Sequence, residues 1–359
     1  MVRLYLGKII FHIRKSLESL LNFSITVLII AYERNEAHYR RRNVVKKNGV
    51  KIINRQIKES IKEYAKARFG SKSYWPFLAL YTEIRGEFLK GWIPYDYYRF
   101  VLLPKINPKP ASYLSDQKTF DHKLFGGFAI EPLLLFISGK CFNPEYEIIE
   151  DERLKRYLSD YDNKIVVKEE CGMGGKQVRI IHSSMFIPHE LKKDKNYVIQ
   201  PYIKQLEVLN NLYPHSVNTF RVNTFLNNDG SVCVKYVWLR FGAEGSNVDN
   251  LSSGGYYLFF KNNGKPEEFV YDWKLGTRLS NKSYDTGFYF ADLKIPMFNT
   301  MLNKCKSAHL KYPYVRLIAW DVCIDSNGEP RLIEWNTLNP DFSSQEARFG
   351  PFYPEDDVF

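Results

Sequence analysis

The stretch LIAWDVCIDSNGEPRLIEWN, residues 317–336, constrains the fold more than any other part of this chain. Two β-type runs flank Asn327-Gly328, a dipeptide that favours a two-residue hairpin turn because both positions take positive φ cheaply. With those two residues as the loop, Ser326 pairs with Glu329, and counting outward puts Asp321 directly opposite Glu334. Asn336 follows two residues on along the same face, while Ile318, Trp320, Val322, Ile324, Ile333 and Trp335 read as core. Two carboxylates side by side repel unless a cation stands between them, and the oxygen donors of Asp321, Glu334 and Asn336 suit a hard divalent ion, Mg²⁺ or Mn²⁺. A solvated polar face is one alternative. An aspartyl-type acid/base pair is another, and it leaves Asn336 without a role.

Upstream, IVVKEECGMGGKQVRII reads as a strand carrying Lys168, then Gly172, Gly174 and Gly175, then a second strand. Glycines let backbone N–H groups wrap phosphate oxygens, and Lys168 adds a charge on a rigid strand; a plain glycine-rich hairpin turn is the competing reading. Neither a dinucleotide fingerprint nor a Walker A loop matches, because Gln177 and a strand follow Lys176 where a helix is needed. The strand YVIQPYI (197–203) stops at Pro201, which leaves backbone groups to meet a base edge or simply marks an edge strand. In SVNTFRVNTFLNNDGSVCVKYVWLRF, a loop at Asp229-Gly230 sets Arg221 opposite Trp238, with Asn223 and Arg240 on that surface. Two arginines on one sheet face suit a polyanion or an acyl-phosphate oxyanion. The small and polar residues from Gly242 to Gly255 read as a long loop.

These motifs sit in a chain of 359 residues, long enough for two domains, whose ordinary hydrophobic (45%) and charged (25%) content excludes disorder and fibrous repeats. Lys and Arg exceed Asp and Glu by 51 to 40, a surplus that calls for an anionic partner without naming it. Five scattered cysteines with no C-x-x-C signal neither a disulfide framework nor a zinc knuckle and fit a reducing compartment. No metal-binding histidine spacing, nucleophile elbow or nucleic-acid signature is present, so nucleic acid is not an expected partner.

Residues 1–70 read as helical, 73–110 as short aromatic helices, and the chain beyond 121 as short strands with two helices, at 150–159 and 291–309. The expected architecture is α+β, with antiparallel hairpins dominating. Its divisions are a helical region over 1–120, a small lobe over 121–203 and a large lobe over 204–359. The strands expected are 132–137, 146–149, 165–169, 177–181, 197–200, 217–226, 232–241, 315–324 and 331–335. Leu20 to Tyr32 is strongly apolar between basic flanks, yet its 13 or so residues fall short of the ~20 that span a bilayer. It reads as a buried helix, with a peripheral helix on anionic membrane as the alternative.

Taken in order, VVKEECGMGGKQVRII, VIQPYI, SVNTFRVNTF, VDNLSSGG and AWDVCIDSNGEPRLIEWN resemble the sugar-transfer-associated ATP-grasp family of bacterial surface-polysaccharide gene clusters. YYRFVLLPKIN and FDHKLF add to the likeness, which runs from about Tyr97 to Asn336. The resemblance implies two α+β lobes gripping ATP, with Mg²⁺ on its phosphates. Lys168 then holds the α- and β-phosphates, Gly172 to Gly175 close over them, and Gln200, Tyr202 and Ile203 hold adenine. Asn223 faces the nucleotide, and Asp321, Glu334 and Asn336 hold metal. The peptide-ligase branch has an arginine two residues before the first metal-binding aspartate; this chain has Ala319, so Arg221 or Arg240 must take that role. Lys123 is the nearest match to a second phosphate lysine, with Lys140 behind it. The implied activity is a cytoplasmic ligase that joins a carboxylate-bearing sugar or glycan precursor to an amine through an acyl phosphate. A kinase with a hydroxyl acceptor and a non-catalytic scaffold are the other readings. The tail from Asn339 to Arg348 either lines the acceptor pocket or is structural.

Overall fold

Helical periodicity in the first 70 residues becomes two helices, α1 (Val2–Asn48) and α2 (Arg55–Phe69). The computed structural model describes residues 2–171, 177–242, 256–261, 263–271, 278–341 and 343–352. Asn54 starts α2 by accepting the Ile57 N–H at 2.9 Å, Gly70 ends it in the left-handed region, and Ile61, Ala65 and Phe69 form its buried face. Helix α3 (Trp75–Arg85) is buried from Pro76 to Glu83.

The chain divides into two compact units, Met1–Leu102 with Ser343–Phe359, and Leu103–Phe342. The division falls earlier than the expected 120, because Asn107 is tied into the second unit through Nδ2 bonds to the carbonyls of Leu317 and Thr337. The tail returns to the first unit, where the Trp92 indole N–H reaches the Glu346 carbonyl at 2.8 Å. Gln345 and Arg348 therefore lie in the first unit, on a short helix, Ser343–Phe349. The apolar run of α1 is not the buried helix expected: Leu21, Ile25, Val27, Leu28 and Tyr32 are exposed, and burial begins further along, at Ala37 and Val44.

The second unit contains two five-stranded antiparallel sheets. The smaller is built from β1 (Leu134–Ile137), β2 (Lys140–Phe142), β3 (Lys164–Glu169), β4 (Val178–His182) and β5 (Tyr197–Pro201) in the order β2-β1-β5-β3-β4. The larger is built from β6 (Thr219–Leu226), β7 (Val232–Phe241), β8 (Tyr256–Phe260), β9 (Leu317–Ile324) and β10 (Pro330–Asn336) in the order β10-β9-β6-β7-β8. The 146–149 segment forms no strand; it makes a single bridge, Ile148 to Phe142. A short helix α4 (Asp121–Phe125) leads into the small sheet, α5 (Asp151–Tyr161) lies within its span of sequence, and α6 (Phe298–Lys311) covers one face of the large sheet. Phe298, Met301 and Cys305 of α6 pack there with Trp320, Val322, Trp335, Phe220 and Leu239.

Both hairpins of the large sheet turn differently from the expected two-residue loops. Asp325 N–H bonds the Glu329 carbonyl and Gly328 N–H bonds the Asp325 carbonyl, leaving a three-residue loop with Gly328 at φ 82. The Asp325 side chain fixes it by accepting the N–H groups of Asn327 and Glu329, each at 2.9 Å. That loop shifts the pairing by one residue, and a bulge at Ile333 shifts it back, so that Glu334 does face Asp321. Without the bulge Ile333 would oppose Asp321 and Glu334 would turn to the apolar face. The β6–β7 hairpin repeats the device, with Gly230 at φ 82 and a register shift that skips Lys235, and Arg221 faces Trp238 as expected.

Candidate functional site

Strand alternation puts Arg221 and Asn223 of β6, Asp321 of β9, Glu334 and Asn336 of β10, and Trp238 and Arg240 of β7 on the face opposite the α6 core. Cross-strand rows then bring them together: Glu334 lies beside Asp321, Asp321 beside Arg221, and Arg221 beside Trp238. Asp321 is almost fully buried and both its oxygens are engaged. Arg221 bonds Oδ1 through Nε and Oδ2 through Nη2 at 2.9 Å, Arg240 brings Nη2 to 2.9 Å from Oδ2, and Asn336 Nδ2 approaches Oδ2 at 3.5 Å. Arg240 is itself steadied by Thr219 Oγ1. The conflict between Asp321 and Glu334 that the sequence poses is thus relieved by the chain's own cations.

Two lysines complete the cluster. Lys168 of β3 is buried and donates to the Ile333 carbonyl at 3.4 Å, the carbonyl of the bulge residue. Burial holds its ammonium below the ordinary lysine range, an effect that Glu334 opposes. Lys118, also buried, lies 3.6 Å from Glu334, and its turn is anchored by Glu170, which accepts both the N–H and the hydroxyl of Thr119. Asp121, one turn further on, accepts the Trp335 indole N–H at 2.8 Å; burial pushes its carboxyl up to about 7, against the pull of that bond, Lys118 and Lys168. Neither Lys118 nor Asp121 was a sequence candidate. The signal was present in DQKTFDHKL, but side-chain burial on a short irregular turn has no period to read.

Lys123, the sequence candidate nearby, is exposed, with its ammonium 5.9 Å from the Tyr146 ring centroid; Lys140 is exposed at the start of β2. Gln200 is buried with Nε2 on the Ile130 carbonyl at 3.2 Å, and its Oε1 has no partner. Tyr202 spends its N–H on the Lys164 carbonyl and lies under the Lys164 ammonium, with Ile203 half-buried beyond it. Gly172, Gly174, Gly175 and the loop from 243 to 255 lie outside the described residues.

Asn223 is fully buried on the polar face and neither of its side-chain polar atoms has a partner. An orphaned amide of that kind costs about 1–3 kcal/mol unless a ligand meets it. Among the described residues no three His, Cys, Asp or Glu side chains gather as a metal site. The donor set nevertheless fits a hard ion, since Asp321, Glu334 and Asn336 offer two carboxylates and an amide oxygen at neighbouring positions. For Asp321 to serve, it must exchange a guanidinium for the ion.

Clustered cations over a carboxylate pair fit several anionic ligands. Residues 185–348 match the sugar-transfer associated ATP-grasp family. The matched span runs from before β5 to beyond β10 and so takes in Gln200, Arg221, Asn223, Arg240, Asp321, Glu334 and Asn336, but not Lys118 or Lys168. No curated protein matches the sequence. Solved structures with some likeness include the ADP complex of N5-carboxyaminoimidazole ribonucleotide synthetase, at 11% identity and TM-score 0.36, over 62% of this chain and 42% of that one. The ATP-grasp ligase PsnB with its minimal precursor matches at 14% and 0.36, over 68% and 57%. The biotin carboxylase complex from Campylobacter jejuni matches at 11% and 0.38, over 69% and 48%. The chain thus spans about half the length of these proteins.

Proposed function

We propose that this protein is an ATP- and Mg²⁺-dependent ligase that joins an amine to the carboxylate of a sugar acid or glycan precursor in surface-polysaccharide assembly. The observation that carries the reading is the convergence of Lys118, Lys168, Arg221 and Arg240 on the paired carboxylates Asp321 and Glu334, beside the unpartnered amide of Asn223. Four fixed cations in a largely buried site suit a reaction that brings a triphosphate and a carboxylate together.

In this reading Lys118 and Lys168 hold the phosphates, and Gln200, Tyr202 and Ile203 hold the adenine. Asn223 supplies an amide to the nucleotide or the acceptor. Asp321, Glu334 and Asn336 would hold Mg²⁺, which when bound neutralises charge on phosphate oxygens. An oxygen of the acceptor carboxylate attacks the γ-phosphorus, the bond to the β-bridging oxygen breaks, and ADP leaves. Arg221 and Arg240 steady the acyl phosphate so formed. The amine nitrogen then attacks the acyl carbon, the carbon–oxygen bond to phosphate breaks, and phosphate departs with the proton the nitrogen gives up. No side-chain nucleophile takes part.

Glu334→Gln tests the reading: ADP release stimulated by the acceptor pair should fall to background while the far-ultraviolet spectrum is unchanged. Undiminished ADP release by that variant overturns the assignment of Glu334.

A further inference from the structure

Leu21, Ile25, Leu28, Tyr32 and Tyr39 follow one another along α1 at steps of four, three, four and seven residues. At 3.6 residues per turn they fall within a sector of about 60° and extend for about 27 Å. All five are exposed, Leu28 by 69% and Tyr32 by 68%, and Ile29 widens the stripe at its edge. Ala37 and Val44, on the opposite side of the helix, are fully buried. That side also carries the ion pairs of Arg34 with Asp96 and Arg41 with Glu83. The helix therefore has one face packed within its own unit and a second apolar face that this unit leaves uncovered.

Charge decides which occupant suits that second face. Between Val2 and Asn48 the sequence holds ten Lys and Arg against three Glu, a surplus of seven where the whole chain has eleven. Arg42 and Lys46 continue the line of the stripe beyond Tyr39 and are exposed, as is Lys47. A second copy of α1 would set this surplus against itself, Arg40-Arg41-Arg42 included. An anionic bilayer turns the same charges into attraction, and their long aliphatic stems reach from a shallow helix to the headgroups. Tyrosines suit the boundary between acyl chains and water. No helix among the described residues is long and apolar enough to cross a membrane, so the stripe suits a helix lying in the plane of the surface.

We infer that α1 docks the protein on an anionic lipid surface, with Leu21, Ile25, Leu28 and Tyr32 entering the acyl boundary and Arg42 and Lys46 on the headgroups. This inference stands independently of the ligase reading, since none of these residues belongs to the candidate site. Co-sedimentation of the full chain with phosphatidylcholine vesicles, with and without phosphatidylglycerol, tests it. Binding should need phosphatidylglycerol and weaken with salt. Leu28→Glu should lower affinity by about 10- to 100-fold through the lost apolar burial. Arg42→Ala with Lys46→Ala should lower it about 30-fold. Both variants change exposed positions and should keep the wild-type circular dichroism and ADP release in solution. Equal binding to neutral vesicles, or full binding by Leu28→Glu, overturns the inference. So does a dimer without vesicles that Leu28→Glu dissociates, which assigns the stripe to a second copy.

Discussion

Lys118 and Lys123 are five residues apart and their surroundings differ. Lys118 is buried 3.6 Å from Glu334, whereas Lys123 is exposed beside Tyr146. Lys118→Met should lower kcat/KM for ATP by about 10²- to 10³-fold, the usual loss when one preorganised charge is removed. Lys123→Ala should change it by no more than about twofold. Steady-state ADP release from the two variants checks the contrast, and the reverse order would return the phosphate role to Lys123. Asp321 makes a second residue-level prediction. Its carboxylate is buried under two guanidiniums, so Asp321→Asn leaves two cations with one neutral partner and should cost about 3–5 kcal/mol of stability as well as activity. Urea denaturation measures the first effect separately from the second. Counting outward from a two-residue loop reaches the pairing of Asp321 with Glu334, and it holds because the bulge at Ile333 cancels the extra residue of the actual loop. That the chain would bring its own arginines to Asp321 was only half readable: the β6–β7 pattern put Arg221 and Arg240 on one face, but nothing in it said which strand that hairpin would join.

At the scale of elements, the two hairpins show how a correct pairing can come from an incorrect turn. Asn327-Gly328 and Asp229-Gly230 mark the turns correctly, yet each loop takes one more residue and each strand pair gives that residue back in a bulge. Bulges leave no alternation to recognise, which is why Ile333 read as core and is half-buried here, lending its carbonyl to Lys168. Gly328→Ala places a side chain at φ 82 and should cost about 1–2 kcal/mol, read by chemical denaturation, without altering ATP affinity. Strands β2 and β8, of three and five residues, went unread although Ser138-Gly139 precedes the first and Gly254-Gly255 and Asn263-Gly264 flank the second, because runs so short show too little alternation.

Helix α6 carries a pH-dependent contact. His309 is fully buried; its Nε2–H donates to the Val315 carbonyl at 3.1 Å, so Nδ1 accepts the Thr224 hydroxyl at 2.7 Å, and that oxygen in turn accepts the Trp320 indole N–H. Burial lowers its pKa to about 4 from the ordinary 6.5. A base whose folded pKa is depressed binds its proton more readily when unfolded, so its contribution is intact above pH 6.5 and is lost as the pH falls toward 4. The loss amounts to about 3 kcal/mol. Asp96 and Asp121, raised to about 6 and about 7, act in the opposite sense, so the comparison of wild type with His309→Gln isolates this group. The variant should flatten that part of the stability profile; a parallel profile would show that His309 does not titrate in this way.

On the scale of the whole molecule, the sequence separated a helical region from a two-sheet body, and the structure places the division at Leu102 and returns the tail to the first unit. Composition alone left the positive charge unassigned. Part of it gathers in two places: Lys118, Lys168, Arg221 and Arg240 around paired carboxylates, and the surplus along α1. The family match covers the large sheet and its polar face, and the proposed chemistry rests on what gathers there. The acceptor was not legible, because specificity depends on loops whose sequences follow no pattern rule. The proposed chemistry turns on the acyl phosphate, which hydroxylamine traps. Purified protein with ATP and Mg²⁺ is offered a panel of sugar acids in the presence of hydroxylamine, and ADP and hydroxamate are measured together. An acid that stimulates ADP release should yield hydroxamate in equal amount. ADP release stimulated by that acid without hydroxamate would contradict it, since the phosphoryl group would then have gone to a hydroxyl.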